Sequence, residues 1–290
     1  MRLIAHAKVN WALSVLGRRD DGYHELDMLM QSVELGDSLE IRLAEELTLT
    51  LHGGPRVPSG DGNLVLRAAR RLREAAGVAQ GARITMKKRI PVGAGLGGGS
   101  ADAAAILLGL NALWNLHMGW QDLRALARSL GSDIPFCMVG GLRRVRGTGE
   151  QLEALPCGAP FHLVIVQPCA GLSTPKVFAA YDALAVRPRN PDIEAAVAAL
   201  AQGDPAALAQ AMGNALTPAS VPIRPQIAMA AQTLEHFGAL RAEMTGSGSA
   251  VVGLFANAQD ADFAWRQCIA LWPKSYLTRT TCLLYTSDAA

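Results

Sequence analysis

The chain has 290 residues, of which half are apolar and 18% are charged, so its composition excludes a disordered tail and a low-complexity fibre. Domains usually hold about 100–200 residues, and this length therefore predicts one large domain or two smaller ones. The formal net charge is +2 and the isoelectric point is about 8.3. Because nucleic-acid-binding domains are usually more basic, with isoelectric points above about 9, we expect a small-molecule partner and no nucleic acid.

The sequence carries no pattern typical of a membrane or exported protein. Its longest apolar run, residues 103–116, is interrupted by Asn111 and Asn115 and falls short of the roughly 18–20 residues that cross a bilayer. The N-terminal apolar stretch contains Lys8 and Asn10 and lacks the long apolar core of an export signal. We therefore expect no membrane association and a cytoplasmic location.

The cysteines and histidines follow no metal-binding spacing. Five cysteines occur, an odd number, with neither a Cys-x-x-Cys pair nor a His-Glu-x-x-His motif in the chain. We expect small, buried, unreactive side chains at these positions and no metal held by the protein alone. The five positions are Cys137, Cys157, Cys169, Cys268 and Cys282.

The first half of the chain predicts a mixed β-sheet with helices. Strand patterns occur at residues 9–16, 26–33, 38–43 and 47–51, and a helical pattern at 63–76 ends at Gly77. A strand at 83–90 leads into a glycine-rich loop, which the helix-favouring segment 101–114 follows. A helix at 121–130 and strands at 142–146 and 163–167 come next.

The second half predicts a separate α+β unit. Helical patterns occupy residues 175–184, 193–201, 205–211 and 225–237, and strands at 240–244 and 250–255 flank a second glycine loop. A helix at 258–271 and a strand at 275–280 complete it. We therefore predict an α+β fold with domains at residues 1–155 and 156–280. Residues 281–290 show no periodicity and are excluded as a frayed tail or a cloning or sequence-assembly scar.

The first glycine loop is a candidate phosphate-binding site. Five glycines lie within residues 93–99, and they leave backbone N–H groups free to converge on a phosphate at the start of a helix. Ser100 either caps this helix or ligates Mg²⁺, and Asp102 either suits the helix dipole or reaches a metal. A glycine-rich turn without a ligand is the structural alternative.

Two common nucleotide-binding classes fit this loop poorly. A Walker loop requires a lysine directly after its glycines, and none is present. Residues 93–98 match the G-x-G-x-x-G dinucleotide pattern formally, but charged residues precede them at 87–89 and no acid stands about 20 residues later. The dinucleotide pattern alone is therefore a weak signal.

Lys8 and Asp133 are candidate catalytic residues. Lys8 lies within an apolar strand, where burying an ammonium costs several kcal/mol unless an anion compensates it. The alternative is an edge lysine that reaches solvent. Asp133 stands between a helix end and an apolar turn, where it either caps the next segment or positions a substrate hydroxyl. Brought together, the ammonium would keep the carboxylate ionised and stabilise charge on an attacking oxygen.

Three segments resemble the motifs of the GHMP kinases: residues 7–10 near the N-terminus, the loop 91–101 and the loop 244–249. Within that superfamily, residues 21–25, 97–100 and 131–135 are similar to the branch that acts on a cytidine-diphosphate-linked methylerythritol in the non-mevalonate isoprenoid pathway. The resemblance extends over residues 5–280. It implies a two-domain kinase that phosphorylates the 2-hydroxyl of this alcohol with ATP and Mg²⁺, as a monomer or weak homodimer.

The resemblance also implies roles for individual residues. Asp133 would be the base and Lys8 its electrostatic partner. The triphosphate would bind to Pro91, Val92, Gly93, Ala94, Gly95, Leu96, Gly97, Gly98, Gly99, Ser100 and Ala101 of the N-terminal domain. The cytidylyl substrate would contact Asn10, Tyr23, His24, Phe178, Gly246 and Gly248, with Tyr23 stacking on the base and His24 reading its polar edge. Mg²⁺ would arrive with ATP, with Ser100 as a candidate ligand.

Other interpretations of these residues stay open. Tyr23 can pack within its hairpin, His24 can be a surface residue, Phe178 can belong to the core, and Gly246 and Gly248 can serve a tight strand connection. The nearest alternative function is another GHMP kinase, acting on homoserine, mevalonate or a sugar. A nicotinamide-dependent oxidoreductase and a binding protein without activity are the alternatives from other classes.

Overall fold

A computed structural model describes residues 1–55 and 57–282. Its strands are β1 (Arg2–Arg18), β2 (His24–Ala44), β3 (Leu47–Leu51), β4 (Gly81–Lys87), β5 (Leu142–Gly147), β6 (Gln151–Ala154), β7 (His162–Val166), β8 (Gly213–Asn214), β9 (Arg241–Met244), β10 (Val251–Phe255) and β11 (Ser275–Arg279). Its helices are α1 (Leu64–Ala76), α2 (Gly98–Leu113), α3 (Trp120–Leu130), α4 (Ile134–Val139), α5 (Thr174–Asp182), α6 (Ile193–Gln202), α7 (Pro205–Ala211), α8 (Thr217–Ser220), α9 (Gln226–His236) and α10 (Ala258–Leu271).

The larger sheet is built around the long antiparallel pair of β1 and β2. Its strand order is β3-β4-β2-β1-β8, with β5 also paired to β2 and β6 to β5. The pairs β3–β4 and β1–β8 are parallel and the other pairs are antiparallel. The expected α+β fold with a mixed sheet is therefore confirmed, and β1 is an interior strand.

The prediction of separate strands at 26–33 and 38–43 is wrong, because β2 runs through both without a break. The residues between them include Gly36, which sequence reasoning treats as a turn former. Here it allows close approach instead, since a Cβ at Gly36 would lie 2.9 Å from the carbonyl oxygen of Ala5 in β1. The chain thus bends at a register irregularity of the sheet without leaving it.

The smaller sheet has the order β11-β7-β10-β9 and is entirely antiparallel. Helices α9 and α10 pack against it. It is joined to the larger sheet where Val33 of β2 and Thr280, which directly follows β11, form an antiparallel bridge. The division of the chain into domains near residue 155 stays a prediction.

Four short elements escape the sequence patterns, namely β6, β8, α4 and α8. The longest of them, α4, has six residues, too few for a helical period to be recognised. Longer helices agree closely with the prediction. Helix α1, for example, begins after Asn63, whose side chain accepts the N–H of Val65, and ends at Gly77 with a φ of 64°.

The expectation of small, buried, unreactive side chains at all five cysteines is wrong at three positions. Cys157 and Cys282 form a disulfide bond and Cys169 is half-buried, whereas Cys137 and Cys268 are buried as expected. Spacing alone does not reveal such a pair, because 125 residues separate its members. Cys282 belongs to the segment excluded from fold reasoning, and residues 283–290 of that segment lie outside the described residues.

A buried ion cluster connects the end of β4 with α2. Lys88 donates hydrogen bonds to Asp37 and, over 2.6 Å, to Asp102 Oδ2. All three residues are almost fully buried. Asp37 Oδ1 also accepts the N–H of Ile90 over 2.9 Å, whereas Asp102 Oδ1 has no hydrogen-bond partner within the described residues. One ammonium thus faces two carboxyl groups.

The environment of Asp102 changes its affinity for a proton. Burial raises the pKa of Asp102 well above its usual range, because Lys88 offsets only part of the desolvation and Asp37 adds repulsion. The folded protein therefore retains a proton at Asp102 that the unfolded chain releases above about pH 4. Stability consequently falls as pH rises from that value through the higher folded pKa.

We expect Asp102→Asn to become more stable relative to the parent chain as pH rises through this interval, because a neutral side chain removes the repulsion. Asp37→Asn should cost about 1–3 kcal/mol, because it removes a charge that faces Lys88 and weakens the acceptor of the Ile90 N–H, while Asp102 remains beside the ammonium. Urea unfolding of both variants over a pH series measures the difference. Equal destabilisation by the two variants at neutral pH would contradict this account.

Candidate active site

A large cavity, about 910 Å³, lies between the start of β2, the middle of β1, the two glycine loops and the start of α5. It contains residues from both halves of the chain. The predicted site residues that line it are Lys8, Asn10, Tyr23, His24, Gly93, Gly95, Gly97, Asp133, Phe178, Gly246 and Gly248. The fold thus brings together side chains and loops that are as much as 240 residues apart in sequence.

The first glycine loop separates this cavity from a second one of about 300 Å³. Residues 91–100 line the second cavity, together with the start of α1 and the preceding segment. Gly93, Gly95 and Gly97 have φ values of 66°, 80° and 67°, a backbone conformation that strongly favours glycine. These alternating glycines therefore shape a loop that faces both cavities. Gly97 directly precedes the first residue of α2.

Helix α2 begins three residues earlier than predicted. Gly97 occupies the N-cap position and no side chain caps the helix, so the expectation that Ser100 caps it is wrong. The Ser100 hydroxyl makes no hydrogen bond within the described residues, and Ser100 lines the second cavity. Asp102 lies beyond the first turn of α2 and its carboxyl group pairs with Lys88. The expectation that Asp102 interacts with the helix dipole in the first turn is therefore wrong.

The two glycine loops pack directly on each other. The N–H of Ala250 donates to the carbonyl oxygen of Ala94 over 3.0 Å. A Cβ at Gly95 would lie 2.2 Å from the carbonyl oxygen of Thr245, and one at Gly246 would lie 3.0 Å from that of Gly95. These glycines therefore permit a contact between backbones that no larger residue could make.

Lys8 lies beneath this contact and is 4% exposed, so the interpretation as an edge lysine is wrong. Its ammonium donates to Asn10 Oδ1 over 2.7 Å and lies 4.0 Å from Asp133 Oδ2. Its backbone N–H donates to Leu96 in the first loop, and the N–H of Asn10 donates to Thr245 Oγ1 in the second. Strand β1 therefore fixes the ammonium and both loops together.

Asp133 immediately precedes α4, but its side chain makes no capping hydrogen bond. The interpretation of this residue as a helix cap is therefore wrong. Its side chain is 35% exposed and faces the cavity, so one carboxylate oxygen lies near Lys8 while the group remains accessible. Burial, and then the nearby Asp133, raise the pKa of the Cys137 thiol in α4, which favours the neutral, unreactive form of this thiol.

The aromatic residues at the other end of the cavity differ in exposure. Tyr23 is 66% exposed, whereas His24 is buried, which excludes the interpretation of His24 as a surface residue. The rings of His24 and Phe178 are stacked with their centroids 4.5 Å apart. Phe178 therefore contacts His24 and lines the cavity instead of facing only the core.

Two further residues of the site carry no recognisable sequence signal. Asn214 in β8 donates from Nδ2 to the carbonyl oxygens of Met244 and Gly246, each over 2.8 Å, and so fixes the second glycine loop. Asp182 at the end of α5 bonds to His24 Nε2 over 2.9 Å. An asparagine before a short helix and an acid at a helix end are both common in proteins, so the sequence does not mark either residue as part of a site.

The described residues contain no cluster of three or more His, Cys, Asp or Glu side chains that could hold a metal ion. Over the same residues, no helix combines the length and apolarity that a bilayer span requires.

The contact between the loops generates a test. Gly95→Ala would place a methyl group against the Thr245 carbonyl and force a left-handed conformation, so we expect it to separate the loops. Stability, measured by urea unfolding, should fall by about 1–3 kcal/mol, the usual cost of a strained backbone position. Gly17→Ala is the matched control, because Gly17 has no positive φ and its Cβ would meet nothing within 4 Å. Equal effects of the two substitutions would contradict the contact.

Comparison with known proteins places the chain in one family. Residues 63–141 match the GHMP kinases N terminal domain and residues 196–274 match the GHMP kinases C terminal. A 4-diphosphocytidyl-2-C-methyl-D-erythritol kinase from Pelotomaculum thermopropionicum is 48% identical over 261 residues, which cover 89% of this chain and 90% of that protein.

Two solved structures share the fold. A crystal structure of a 4-(cytidine 5'-diphospho)-2C-methyl-D-erythritol kinase aligns with a TM-score of 0.83 and 36% identity, over 97% of this chain and 99% of that one. A homoserine kinase from Cytophaga hutchinsonii aligns with a TM-score of 0.74, over 99% of this chain and 96% of that one, but at 21% identity it shows the fold alone. The motifs, the fold and the full-length relatives agree, and the chain belongs to the 4-diphosphocytidyl-2-C-methyl-D-erythritol kinase family of the GHMP kinases.

Proposed function

We propose that this protein transfers the γ-phosphoryl group of ATP to the 2-hydroxyl of 4-diphosphocytidyl-2-C-methyl-D-erythritol, a step of the non-mevalonate isoprenoid pathway in the cytosol. The observation that carries this function is the Lys8–Asp133 pair, 4.0 Å apart, in a cavity that also contains Tyr23 and His24. The charged pair suits the transfer of a phosphoryl group to an alcohol. The aromatic residues suit the binding of a cytidylyl group.

The parts of the proposed substrate would lie in different regions of the cavity. The cytosine would stack on Tyr23 near Phe178 and present its polar edge to His24, since an aromatic face suits a nucleobase. The diphosphate would approach the backbone of Gly246 and Gly248. The reacting alcohol would then lie near Lys8, Asn10 and Asp133, where β1 and the start of α4 meet.

ATP would bind on the other side of the first glycine loop. Residues 91–101 would bind its phosphates, with backbone N–H groups between Pro91 and Ala101 as the donors, and the start of α2 would add the positive end of its dipole. The cavity of about 300 Å³ beside α1 would take the nucleoside. Because Gly93, Gly95 and Gly97 line both cavities, the terminal phosphate would reach the first cavity at the point nearest Lys8.

Asp133 and Lys8 have complementary tasks in the transfer. Asp133 would orient the 2-hydroxyl and accept its proton as the oxygen bonds to the γ-phosphorus and the bond from that phosphorus to ADP breaks. Lys8 would stabilise the negative charge that develops between the attacking oxygen and the phosphoryl group. Asn10 keeps the ammonium in place through its 2.7 Å hydrogen bond. The catalytic contribution is therefore positioning and charge neutralisation.

Mg²⁺ would bind at this site together with ATP. The uncommitted hydroxyl of Ser100 on the phosphate side of the loop suits a hard cation, whereas Asp102 is already bonded to Lys88. Mg²⁺ would supply charge neutralisation between the phosphates. Ser100 would be its ligand from the protein.

A direct assay tests the function. The purified protein is incubated with Mg-ATP and the cytidylyl alcohol, and phosphorus NMR is used to detect ADP and the new phosphate ester. Phosphorylation of homoserine, mevalonate or a sugar without the cytidylyl alcohol would instead indicate another GHMP activity. A melting shift with NAD(H) and none with Mg-ATP would indicate an oxidoreductase.

Asp133→Asn tests the base. It keeps the shape of the side chain but removes its ability to accept the proton, so kcat should fall by about 10²–10⁴-fold. The KM for ATP should stay within about threefold of the parent value, since ATP would bind mainly to the glycine loop. Steady-state kinetics measure both constants. Full turnover by this variant would show that Asp133 is not the base.

Tyr23→Ala tests the nucleobase platform. Loss of one stacked base contact, worth about 1–3 kcal/mol, should raise the KM for the cytidylyl substrate by roughly 5- to 150-fold. The fold should tolerate the change because Tyr23 is largely exposed. Tyr23→Phe is the matched control, because it retains the ring and should retain the KM. An unchanged KM in Tyr23→Ala would favour a substrate without a base.

A further inference from the structure

His24 is held on three sides by one face of α5. Phe178 stacks on its ring, and Tyr181 meets the ring at 87° with a centroid distance of 6.3 Å. Asp182 Oδ1 lies 2.9 Å from His24 Nε2. The three residues of α5 are spaced i, i+3 and i+4, so they form one stripe of the helix. His24 has little freedom to rotate as a result.

Asp182 is an ionised acceptor. Burial acts to raise the pKa of its carboxyl, but the interaction with His24, the hydrogen bond from Arg187 and the charge of Arg18 outweigh it and lower that pKa. Arg187 Nη1 donates to Asp182 Oδ1 over 3.4 Å, and Arg18 Nη1 lies 3.9 Å from Oδ2. Because an ionised carboxylate only accepts hydrogen bonds, His24 Nε2 must carry the hydrogen.

The other ring nitrogen of His24 is left for a ligand. Nδ1 has no hydrogen-bond partner within the described residues, although His24 lines the large cavity. In the neutral imidazole, a hydrogen on Nε2 makes Nδ1 an acceptor. The cavity therefore presents an acceptor of fixed direction beside the aromatic platform formed by Tyr23.

We propose that Asp182 is a positioning residue that makes the site select cytosine over uracil, because its carboxylate fixes the orientation and the tautomer of His24. This inference rests on the proposed function. A fixed acceptor at Nδ1 matches the exocyclic amine of cytosine and opposes the carbonyl oxygen that uracil carries at the same ring position. Without Asp182, the imidazole can move its hydrogen to Nδ1 and pair with either base.

Binding of free CDP and UDP tests the selection without phosphoryl transfer. We expect the parent chain to prefer CDP by at least about tenfold, the effect of one unmatched hydrogen bond. In Asp182→Ala this preference should fall to within about twofold, because the ring becomes free to change tautomer. Asp182→Asn retains an acceptor oxygen and should retain most of the preference. Calorimetry measures all four affinities.

Arg187→Gln is the matched control for these variants. Arg187 touches the same carboxylate and lies over the Tyr181 ring, 4.6 Å from its centroid, but it does not contact His24. Its removal should leave the CDP preference unchanged. Equal preference in Asp182→Ala and the parent chain, equal loss in the Asn and Ala variants, or loss in Arg187→Gln would overturn the role of Asp182.

Steady-state kinetics separate a positioning role from a general loss of structure. Asp182→Ala should raise the KM for the cytidylyl substrate about tenfold, while kcat and the KM for ATP stay within about twofold. A fall in kcat with a rise in the KM for ATP would overturn the inference. A parent chain that selects CDP but transfers no phosphoryl group would instead refute the proposed function and leave this role intact.

The tautomer itself can be observed directly. Nitrogen NMR of labelled histidine in mildly alkaline buffer should show the His24 hydrogen on Nε2, with the signal assigned through His24→Gln. Asp182→Ala should give a mixture of tautomers. A hydrogen on Nδ1 in the parent chain would overturn the inference even if the Ala variant failed to fold.

Discussion

The site depends on one constraint, the burial of the Lys8 ammonium in an interior strand. An isolated ammonium in such a place is unfavourable, so the surrounding residues must supply acceptors and charge. Asn10 and Asp133 do so from β1 and from the start of α4. The two glycine loops close over the same strand, and together these contacts bring four separate parts of the sequence to one place.

The contact between the loops places the proposed phosphate end of the cavity. Gly95 and Gly246 let the two backbones approach more closely than any side chain permits, and Asn214 fixes the second loop from behind. The buried cluster around Lys88 holds the start of α2 from the other side. The loop shape is consequently set by backbone packing and buried polar contacts, with little dependence on exposed side chains.

The opposite end of the cavity joins the two halves of the chain in a different way. Tyr23 and His24 come from the first half, whereas Phe178 and Asp182 come from α5 in the second. A histidine fixed by a neighbouring carboxylate has a defined donor and acceptor, which is what discrimination between similar bases requires. Proposed base recognition and proposed catalysis thus occur at two ends of one cavity, each built across both halves.

Much of this protein could be inferred from local patterns. The spacing of apolar residues and the capping signals predicted most helices closely, as with α1 between Asn63 and Gly77, because these signals act within a few residues. The glycine-rich loop, the isolated Lys8 and the family motifs also pointed to the same activity. The strand prediction placed a break between residues 33 and 38, where Gly36 lies, and a glycine at a turn and a glycine at a close strand contact look alike in sequence.

The sequence by itself determined the element types, the family and the candidate residues, because residue type and spacing carry this information locally. Only the tertiary structure decided that the Lys8 ammonium lies 4.0 Å from Asp133 and that Asp102 is committed to Lys88. It alone revealed Asn214 and the pairing of Asp182 with His24. These contacts join residues far apart in the chain, and their geometry follows from how the two sheets and their loops pack, which no local pattern records.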